Sequence, residues 1–264
     1  MRGPLRSSLR FETAIGNSTI VQTAVLEADS PRLDFLTAVD FHEERRMLRV
    51  SFATTIPATE AVCDIQHGFL RRPIHRNTSW DLARFEFAAH RYVDCSDDRS
   101  GVALLNDGKY GYSAYEGALE LSLLRSPVHP DPGMDAGLHE FTYSFLPHAE
   151  PFPESEVIAG AAALNRPPLP LEGCSAAPEL PFSLDGDGVT VEAFKRAEKS
   201  DDRILRLLER RGMHGAVRLR APGLAVFLCD LLEWEEGEPL PLDAAGVITL
   251  DFRPFELKTL RMKG

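Results

Sequence analysis

Asp131 and Asp135 lie close together in a stretch rich in proline and glycine, and His129 and His139 flank them. Two carboxyl groups held about 5–9.5 Å apart can supply the acid and the nucleophile or base that cleave a glycosidic bond. Histidine together with carboxylate is also a donor set that zinc accepts. Aspartate beside proline and glycine is first of all a turn former, because its carboxylate accepts hydrogen bonds from nearby backbone amides. We therefore predict turn residues here, and only secondarily a contact with a substrate or an interface.

A second polar stretch, Asn106-Asp107-Gly108-Lys109-Tyr110-Gly111, follows an apolar run and contains two glycines. Glycine reaches backbone conformations that other residues rarely adopt, so the stretch is predicted to form a tight loop. Its amide, carboxylate and ammonium groups match sugar hydroxyls, and its tyrosine ring can stack on a pyranose face. The alternative is a plain hairpin loop with a packed tyrosine, and the residue types leave both interpretations open.

Two further groups of side chains could bind sugar or hold an interface. The segment 72–81 combines arginines, hydroxyls and Trp80, and we predict a structural or interface role for it. Arg125 follows an apolar run and is predicted to form an ion pair with Asp131 or Asp135 at the end of a strand. If such a pair is buried, removing one partner costs about 3–5 kcal/mol.

The elements that must position these side chains are predicted to be strands. Apolar residues recur at every second position, which places them on one face of a strand. Many short segments of this kind, separated by glycine, proline and asparagine, indicate a β-sandwich. The segments are 48–52, 85–87, 119–123, 141–145, 189–193 and 217–219. The alanine-rich stretch 154–164 is instead predicted to form a short helix, and 201–211 fits either a helix or a strand buried on both faces.

A cluster of prolines divides the chain. Five prolines and one glycine lie between positions 165 and 181. Proline lacks a backbone donor and at this density prevents regular strand pairing. We therefore predict three parts: a large β domain over 1–165, a proline-rich linker over 166–183 and a small β-sandwich over 184–264.

The composition argues against several kinds of partner. A net charge of −11 and a pI near 5.2 repel phosphate backbones, so nucleic acid is not an expected partner. No apolar run approaches the ~20 residues that span a bilayer. The first residues lack the apolar core of a signal peptide, so we expect a cytoplasmic location. The cysteines form no Cys-x-x-Cys pair, and we predict that all are reduced and structural; they are Cys63, Cys95, Cys174 and Cys229.

The order of several motifs resembles a known family. Three of them are Asp40-Phe41-His42-Glu43, the stretch 106–112 and the stretch 135–143, and the others lie at 3–6, 34–37, 67–68, 72–81, 85–86, 123–127, 130–132, 147–148 and 254–260. In this order they resemble the C-terminal β-domain of an α-mannosidase of glycoside hydrolase family 38, of the bacterial and cytosolic type. Two positions depart from the usual pattern, since Phe41 replaces a tryptophan and Gly108 replaces a cysteine.

The resemblance implies an all-β fold. It consists of a large β-supersandwich of the galactose mutarotase-like kind, followed by a small C-terminal β-sandwich, with one short helix near 154–164. The resemblance also implies an N-terminal catalytic barrel, fused or separate, that holds zinc and an aspartate nucleophile. The chain contains no Trp-x-x-Asp-x-Phe-Gly-His sequence. We therefore predict that the fragment alone is inactive and holds no catalytic residue, metal or cofactor.

In the complete enzyme, the resemblance and the loop chemistry together predict the side chains near a mannoside substrate. These are Asn106, Asp107, Lys109, Tyr110, Arg125, Asp131, Asp135 and His139. Two other hypotheses stay open at this point: a free-standing carbohydrate-binding β-sandwich module, and a small complete glycosidase that uses Asp131 and Asp135. A homo-oligomer is also left open, whereas a membrane is not an expected partner.

Overall fold

The computed structural model describes residues 2–170, 172–173 and 179–264. Contacts between residues divide the chain into two compact units, Met1–Pro168 and Leu169–Gly264, here called the first and the second unit. The division falls within 166–183, the predicted linker. Cys174, which we predicted to be reduced, and Pro178, which belongs to the predicted linker, lie outside the described residues.

The first unit contains two antiparallel sheets. Its strands are β1 (Arg6–Ile15), β2 (Ser18–Glu27), β3 (Leu33–Phe41), β4 (Met47–Ala53), β5 (Glu60–Ile65), β6 (Gly68–Pro73), β7 (Phe87–Ala88), β8 (Tyr92–Ser96), β9 (Gly101–Asn106), β10 (Gly111–Tyr115), β11 (Ala118–Arg125) and β12 (Gly137–His148). The larger sheet has eight strands in the order β1-β2-β3-β12-β9-β8-β5-β6, and the smaller has four in the order β4-β11-β10-β7. The predicted all-β sandwich is confirmed.

The main core lies between these two sheets. Every residue of β9 is buried. Leu104 points into the core with Val93 and Tyr112, whereas Leu105 points to the other side of the eight-stranded sheet. Successive side chains of a strand alternate between faces, so β9 is covered on both. We call the core side of this sheet its inward face and the opposite side its outward face.

A helix covers part of the outward face. α2 (Val157–Asn165) follows a 3₁₀ turn at Phe152–Glu154, close to the predicted helix at 154–164. Val157 and Ala161 of α2 are buried together with Leu105. This packing buries β9 on its second side and explains why its sequence is apolar from Val102 to Leu105.

The chain has a second helix that the sequence analysis missed. α1 (Ser79–Ala83) begins at Thr78, whose hydroxyl accepts from the amide of Asp81 while the Asp81 carboxylate accepts from the amide of Thr78. This reciprocal capping box stabilises the first turn of a helix. The expectation of one short helix was therefore too low. Among the described residues, neither helix has the length and apolar character needed to cross a bilayer.

The second unit also consists of two antiparallel sheets. Its strands are β13 (Ser183–Asp185), β14 (Val189–Arg196), β15 (Arg203–Glu209), β16 (Gly215–Arg220), β17 (Ala225–Cys229), β18 (Glu236–Pro239), β19 (Val247–Phe252) and β20 (Leu257–Lys263). They pair in the orders β13-β16-β19 and β14-β15-β20-β17-β18. The ambiguous segment 201–211 forms β15, a strand buried on both faces, with Leu205 and Leu207 in the core between the sheets.

The strands differ from the predicted alternation at three places, two of which are irregular pairings. The register shifts between Ser122 and Leu124, so Leu123 and Leu124 are both buried although they are neighbours. A second shift follows Val191, which is exposed instead of sharing a buried face with Val189. The strand predicted over 85–87 begins only at Phe87. A bulge inserts one extra residue and redirects the side chains beyond it, and the pattern alone does not show where this happens.

Candidate functional site

The loop between β9 and β10 is built around a buried amide. Asn106 is 1% exposed at the end of β9. Its Nδ2 donates to the carbonyl of His90 at 2.9 Å and to the hydroxyl of Tyr112. Its Oδ1 accepts from the amides of Gly108 and Lys109 at 2.8 and 2.5 Å. Because both polar ends of the side chain are bonded within the fold, Asn106 shapes the loop and does not face a ligand.

Asp107 is the loop residue that faces a cleft. Its Oδ2 accepts from the amide of Thr142 on β12 at 2.8 Å, and its side chain is exposed. It lines a surface cleft of about 450 Å³ together with Thr23, Leu36 and Glu140, among others. The cleft lies on the outward face of β2, β3 and β12. Carboxylates and hydroxyls provide the acceptors and donors that sugar hydroxyls need.

Lys109 and Tyr110 differ in burial. The Nζ atom of Lys109 lies 4.3 Å from the ring centroid of Phe141, a cation–π contact. Partial burial lowers the pKa of Lys109, against the charges of Asp135 and Asp107, which favour the ammonium form. Tyr110 is 60% exposed, and its ring meets the ring of His90 edge-on at 5.8 Å between centroids. The tyrosine is therefore exposed rather than packed in the core.

The loop between β11 and β12 uses its aspartates to form turns. Asp131 Oδ1 accepts from the amide of Gly133 at 2.8 Å. Asp135 Oδ2 accepts from the amide of Arg125 at 2.9 Å. Asp135 has a φ of 54°, a left-handed conformation that aspartate tolerates better than most residues. This geometry matches the interpretation of both aspartates as turn residues.

Arg125 and His139 contact Asp135 through the backbone. The Arg125 contact is made by its backbone amide rather than by the guanidinium that we expected to pair. The Nε2 atom of His139 lies 3.0 Å from the carbonyl oxygen of Asp135. Lys109 lies over Phe141 and Asp135 contacts His139, and both of these partners belong to the first part of β12, so the two loops lie at the same end of that strand. We call the loops 107–110 and 131–136 together the loop edge.

The loop edge does not resemble a metal centre or a catalytic carboxyl pair. His129-Pro130-Asp131 has a His-x-Asp spacing, but the Asp131 carboxylate is used in its turn. In the part of the chain that the structure describes, no group of three or more His, Cys, Asp or Glu side chains is arranged to hold a metal. With Asp131 and Asp135 both accepting from backbone amides, the edge can offer hydrogen bonds and one ammonium group to a neighbouring site.

Trp80 belongs to an exposed segment whose other side chains form several contacts. Trp80 is 76% exposed on α1. Asp81 is bonded to Thr78 by the capping box and lies 3.4 Å from the imidazole of His75. The Arg76 guanidinium stacks over the ring of Tyr115 at 3.5 Å from its centroid. These contacts hold His75, Arg76 and Asp81 in place beside the exposed Trp80.

The sequence analysis missed two buried ion pairs of the eight-stranded sheet. The Asp64 carboxylate is 1% exposed and binds the Arg91 guanidinium through two contacts of 2.9 Å. Asp94, fully buried, lies 2.7 Å from the Nε2 atom of His148. A charged residue inside an apolar strand must find a partner, because an unpaired buried charge is costly. The sequence shows that Asp64 and Asp94 are charged residues within apolar segments. It does not show their partners, which come from distant parts of the chain.

The fold defines a class of protein with two β-sandwich units. In the first unit, side chains of the polar loops form hydrogen bonds to backbone amides. Comparison with family models is specific. Residues 1–133 match the model of the glycosyl hydrolases family 38 C-terminal domain. Residues 188–260 match the model of the glycosyl hydrolases family 38 C-terminal beta sandwich domain. The chain belongs to glycosyl hydrolase family 38, as a C-terminal region of that family.

Individual relatives agree with this assignment. The chain is 42% identical to human "Alpha-mannosidase 2C1", over 98% of this chain and 26% of that protein. It is 36% identical to "Alpha-mannosidase G" of Dictyostelium discoideum, over 98% of this chain and 25% of that protein. The chain thus spans about a quarter of the length of these relatives. The crystal structure of an alpha-mannosidase from Enterococcus faecalis V583 matches 92% of this chain and 29% of its own, with a TM-score of 0.74 and 21% identity. This last likeness establishes the fold.

Proposed function

We propose that this chain is the C-terminal β region of an α-mannosidase that hydrolyses terminal α-mannosides. The observation that carries the proposal is the coverage: 98% of the chain aligns with proteins named α-mannosidase, yet it spans only 26% of the human one. Both family models describe C-terminal domains, so the remaining three quarters of such an enzyme would precede this chain. In this proposal, that preceding region performs the catalysis.

The role of this chain is to support a neighbouring active site. A retaining glycosidase needs two carboxyl groups about 5 Å apart, and Asp131 and Asp135 are already used in turns. We expect the preceding region to supply the nucleophile and to bind zinc, which polarises substrate oxygens. The loop edge would contribute the hydrogen-bonding groups of Asp107, Lys109 and Tyr110 beside the bound mannoside.

A cytoplasmic enzyme of mannose metabolism is part of the same proposal. The described cysteines, Cys63, Cys95 and Cys229, are free. Burial raises the pKa of both Cys63 and Cys95 to about 12, so these thiols stay protonated and unreactive. Free thiols are typical of proteins that work in a reducing compartment.

An assay of aryl α-mannoside hydrolysis tests the proposal. The 264-residue chain and the enzyme with its catalytic region, as one polypeptide or as two co-expressed chains, are compared at equal concentration with and without added zinc. We expect turnover only when the catalytic region is present. Turnover by the chain alone, well above the uncatalysed rate, would instead favour a small complete glycosidase.

Exposed aromatic rings support a second candidate, a free-standing carbohydrate-binding module. Trp80 and Tyr110 are 76% and 60% exposed, and sugars stack on such rings. Calorimetric titration of the chain with mannose and mannobiose distinguishes this candidate. Saturable binding that is lost in Trp80→Ala or Tyr110→Ala supports the module, and flat titrations exclude it for these sugars.

A further inference from the structure

The eight-stranded sheet is wider than the sheet that covers it. Phe52 of β4 packs against Phe35 of β3 at 5.8 Å between ring centroids and stacks on Phe145 of β12 at 4.7 Å. β4 is the outermost strand of the smaller sheet on that side. The smaller sheet therefore ends near β3. Ile20 of β2 still packs against the core, whereas the inward face of β1 and the end of β2 at Leu26 extend beyond the smaller sheet as a ledge. We call this surface the β1–β2 ledge.

The β1–β2 ledge is apolar although it is exposed. Leu9 and Phe11 are 67% and 39% exposed, and both lie on the inward face, because they pair with Ala24 and Gln22 of β2. Leu26 is exposed on the same face of β2. The neighbouring outward positions of β1 include the charged side chains of Arg10 and Glu12.

This alternation is the pattern of a strand with one buried face. Antiparallel strands typically place apolar side chains on a core and polar ones toward water. On β1 the apolar side chains of Leu9 and Phe11 lie on the core side of the sheet, where the smaller sheet does not reach them. A contiguous exposed apolar surface of this kind marks an interaction site.

The position of the ledge in the chain indicates what covers it. β1 is the first strand of the described chain, and both matching family models are C-terminal domains, so in the proposed enzyme the catalytic region comes before β1. A region tethered there reaches the ledge at a high effective concentration, which a separate protein lacks. Among the described strands, β4 has only β11 as a neighbour, so its other edge, beside the ledge, is an edge on which another chain segment can pair.

We propose that the β1–β2 ledge is the docking surface for the catalytic region that precedes this chain. The proposal rests on the proposed function and deepens it by naming the surface on which the catalytic region packs. The partner surface is apolar, because it must cover Leu9, Phe11 and Leu26. Ile15 lies on the same face of β1, beyond Thr13, and is also exposed.

Cysteine labelling tests the docking surface without reference to activity. Phe11→Cys places a thiol on the ledge, and the matched control Ala14→Cys places one on the outward face of the same strand. Each variant is made in the 264-residue chain and in the enzyme with its catalytic region present. Maleimide labelling of the peptide that carries the new thiol is then followed by mass spectrometry.

We expect both thiols to react quickly in the 264-residue chain. In the complete enzyme, labelling at position 11 should be slower by roughly tenfold or more, while labelling at position 14 is unchanged. Equal labelling of the two positions in the complete enzyme would overturn the proposal. The proposal would also be overturned if labelling at position 11 of the 264-residue chain became slower as the chain concentration rose. In that case a second copy of the chain would cover the ledge. Loss of the proposed function would show separately, as a complete enzyme without α-mannosidase activity.

Discussion

His148 and Asp94 form a buried pair in which each ring nitrogen of the imidazole faces an oxygen acceptor. The Nε2 atom of His148 lies 2.7 Å from the Asp94 carboxylate, and its Nδ1 atom lies 2.7 Å from the carbonyl oxygen of Glu150. The imidazolium form of His148 can donate one hydrogen bond from each ring nitrogen to these two oxygens. The two side chains are 3% and 0% exposed. The pair joins the end of β12 to β8 inside the first unit.

Stability of the first unit should therefore decrease with rising pH. Burial opposes the imidazolium, but the hydrogen bond and charge of Asp94 and the carbonyl of Glu150 outweigh it and raise the pKa of His148. Because the pKa of His148 is higher in the folded than in the unfolded chain, the pair contributes to the free energy of unfolding. This contribution is complete below the unfolded-state pKa of about 6.5 and is lost as the pH rises through the folded-state pKa. Urea unfolding across this range measures it. His148→Gln should unfold more easily at low pH and show a flatter profile, and an unchanged profile would contradict the assignment.

Gly101 should resist substitution because it faces the same histidine. A Cβ atom at position 101 would lie 2.5 Å from Cε1 of His148. We expect Gly101→Ala to lower the free energy of unfolding by about 1–3 kcal/mol, since a packed interior does not accommodate added volume. Gly108→Ala is the control, because its Cβ would meet no atom within 4 Å. Thermal unfolding compares the two, and similar midpoints would mean that His148 moves aside.

Two ion pairs on β5 should differ sharply in energy. Asp64 is buried with Arg91, whereas Glu60 and Arg71 form a pair whose side chains are 43% and 45% exposed. Asp64→Ala leaves the largely buried Arg91 guanidinium without its carboxylate and should cost about 3–5 kcal/mol. Glu60→Ala should cost less than about 1 kcal/mol, because water screens an exposed pair. Urea unfolding of both variants measures the two losses in free energy of unfolding. Equal losses would contradict the prediction and would mean that water hydrates Arg91 in the Asp64→Ala variant.

Glu209 should be the most sensitive carboxylate of the second unit. It is 2% exposed and accepts from the backbone amides of Arg211, Gly212, Met213 and Phe255. Glu209→Ala leaves these donors without their acceptor and should cost about 2–4 kcal/mol. The exposed Glu238→Ala should stay within about 0.5 kcal/mol of the parent chain. Hydrogen exchange of amides 211–213 measures the loss of these hydrogen bonds directly. Unaltered protection of these amides in Glu209→Ala would contradict the prediction.

Lys109 should affect catalysis if the loop edge lies beside the active site. Lys109→Met keeps the packing on Phe141 and removes the charge, so kcat/KM of the complete enzyme on an aryl α-mannoside should fall roughly tenfold. Lys199→Met is the matched control, because Lys199 also lies over an aromatic ring, that of Trp234, but outside the loop edge. We expect it to leave kcat/KM unchanged. Equal rates for both variants would place the loop edge away from the substrate.

Much of the fold was readable because strand formation leaves a local pattern. Alternation at 119–123 and 217–219 predicted strands that the structure contains. The helix near 154–164 was predicted from its alanines, but the helix at Ser79–Ala83 was not, because its capping box uses an aspartate inside a polar segment. The bulge after Val191 also escaped prediction, since a register shift depends on the partner strand.

The candidate site was predicted less completely than the fold. Asp131 was read correctly as a turn former, because its hydrogen bond is to a residue two positions away. The burial of Asn106 was not readable, since its partners include His90 and Tyr112 on other elements. Residue type indicated polar loops, but not which of their groups the fold would use.

The sequence by itself determined the period of the strands and the family, because both follow from the local order and spacing of residues. Only the tertiary structure decided three relationships. Asp94 contacts His148, Asn106 forms its hydrogen bonds within the fold, and Leu9 and Phe11 lie on an uncovered ledge. These relationships join residues far apart in the chain. They depend on strand register and on how far one sheet extends over another, and neither quantity is encoded in any single segment.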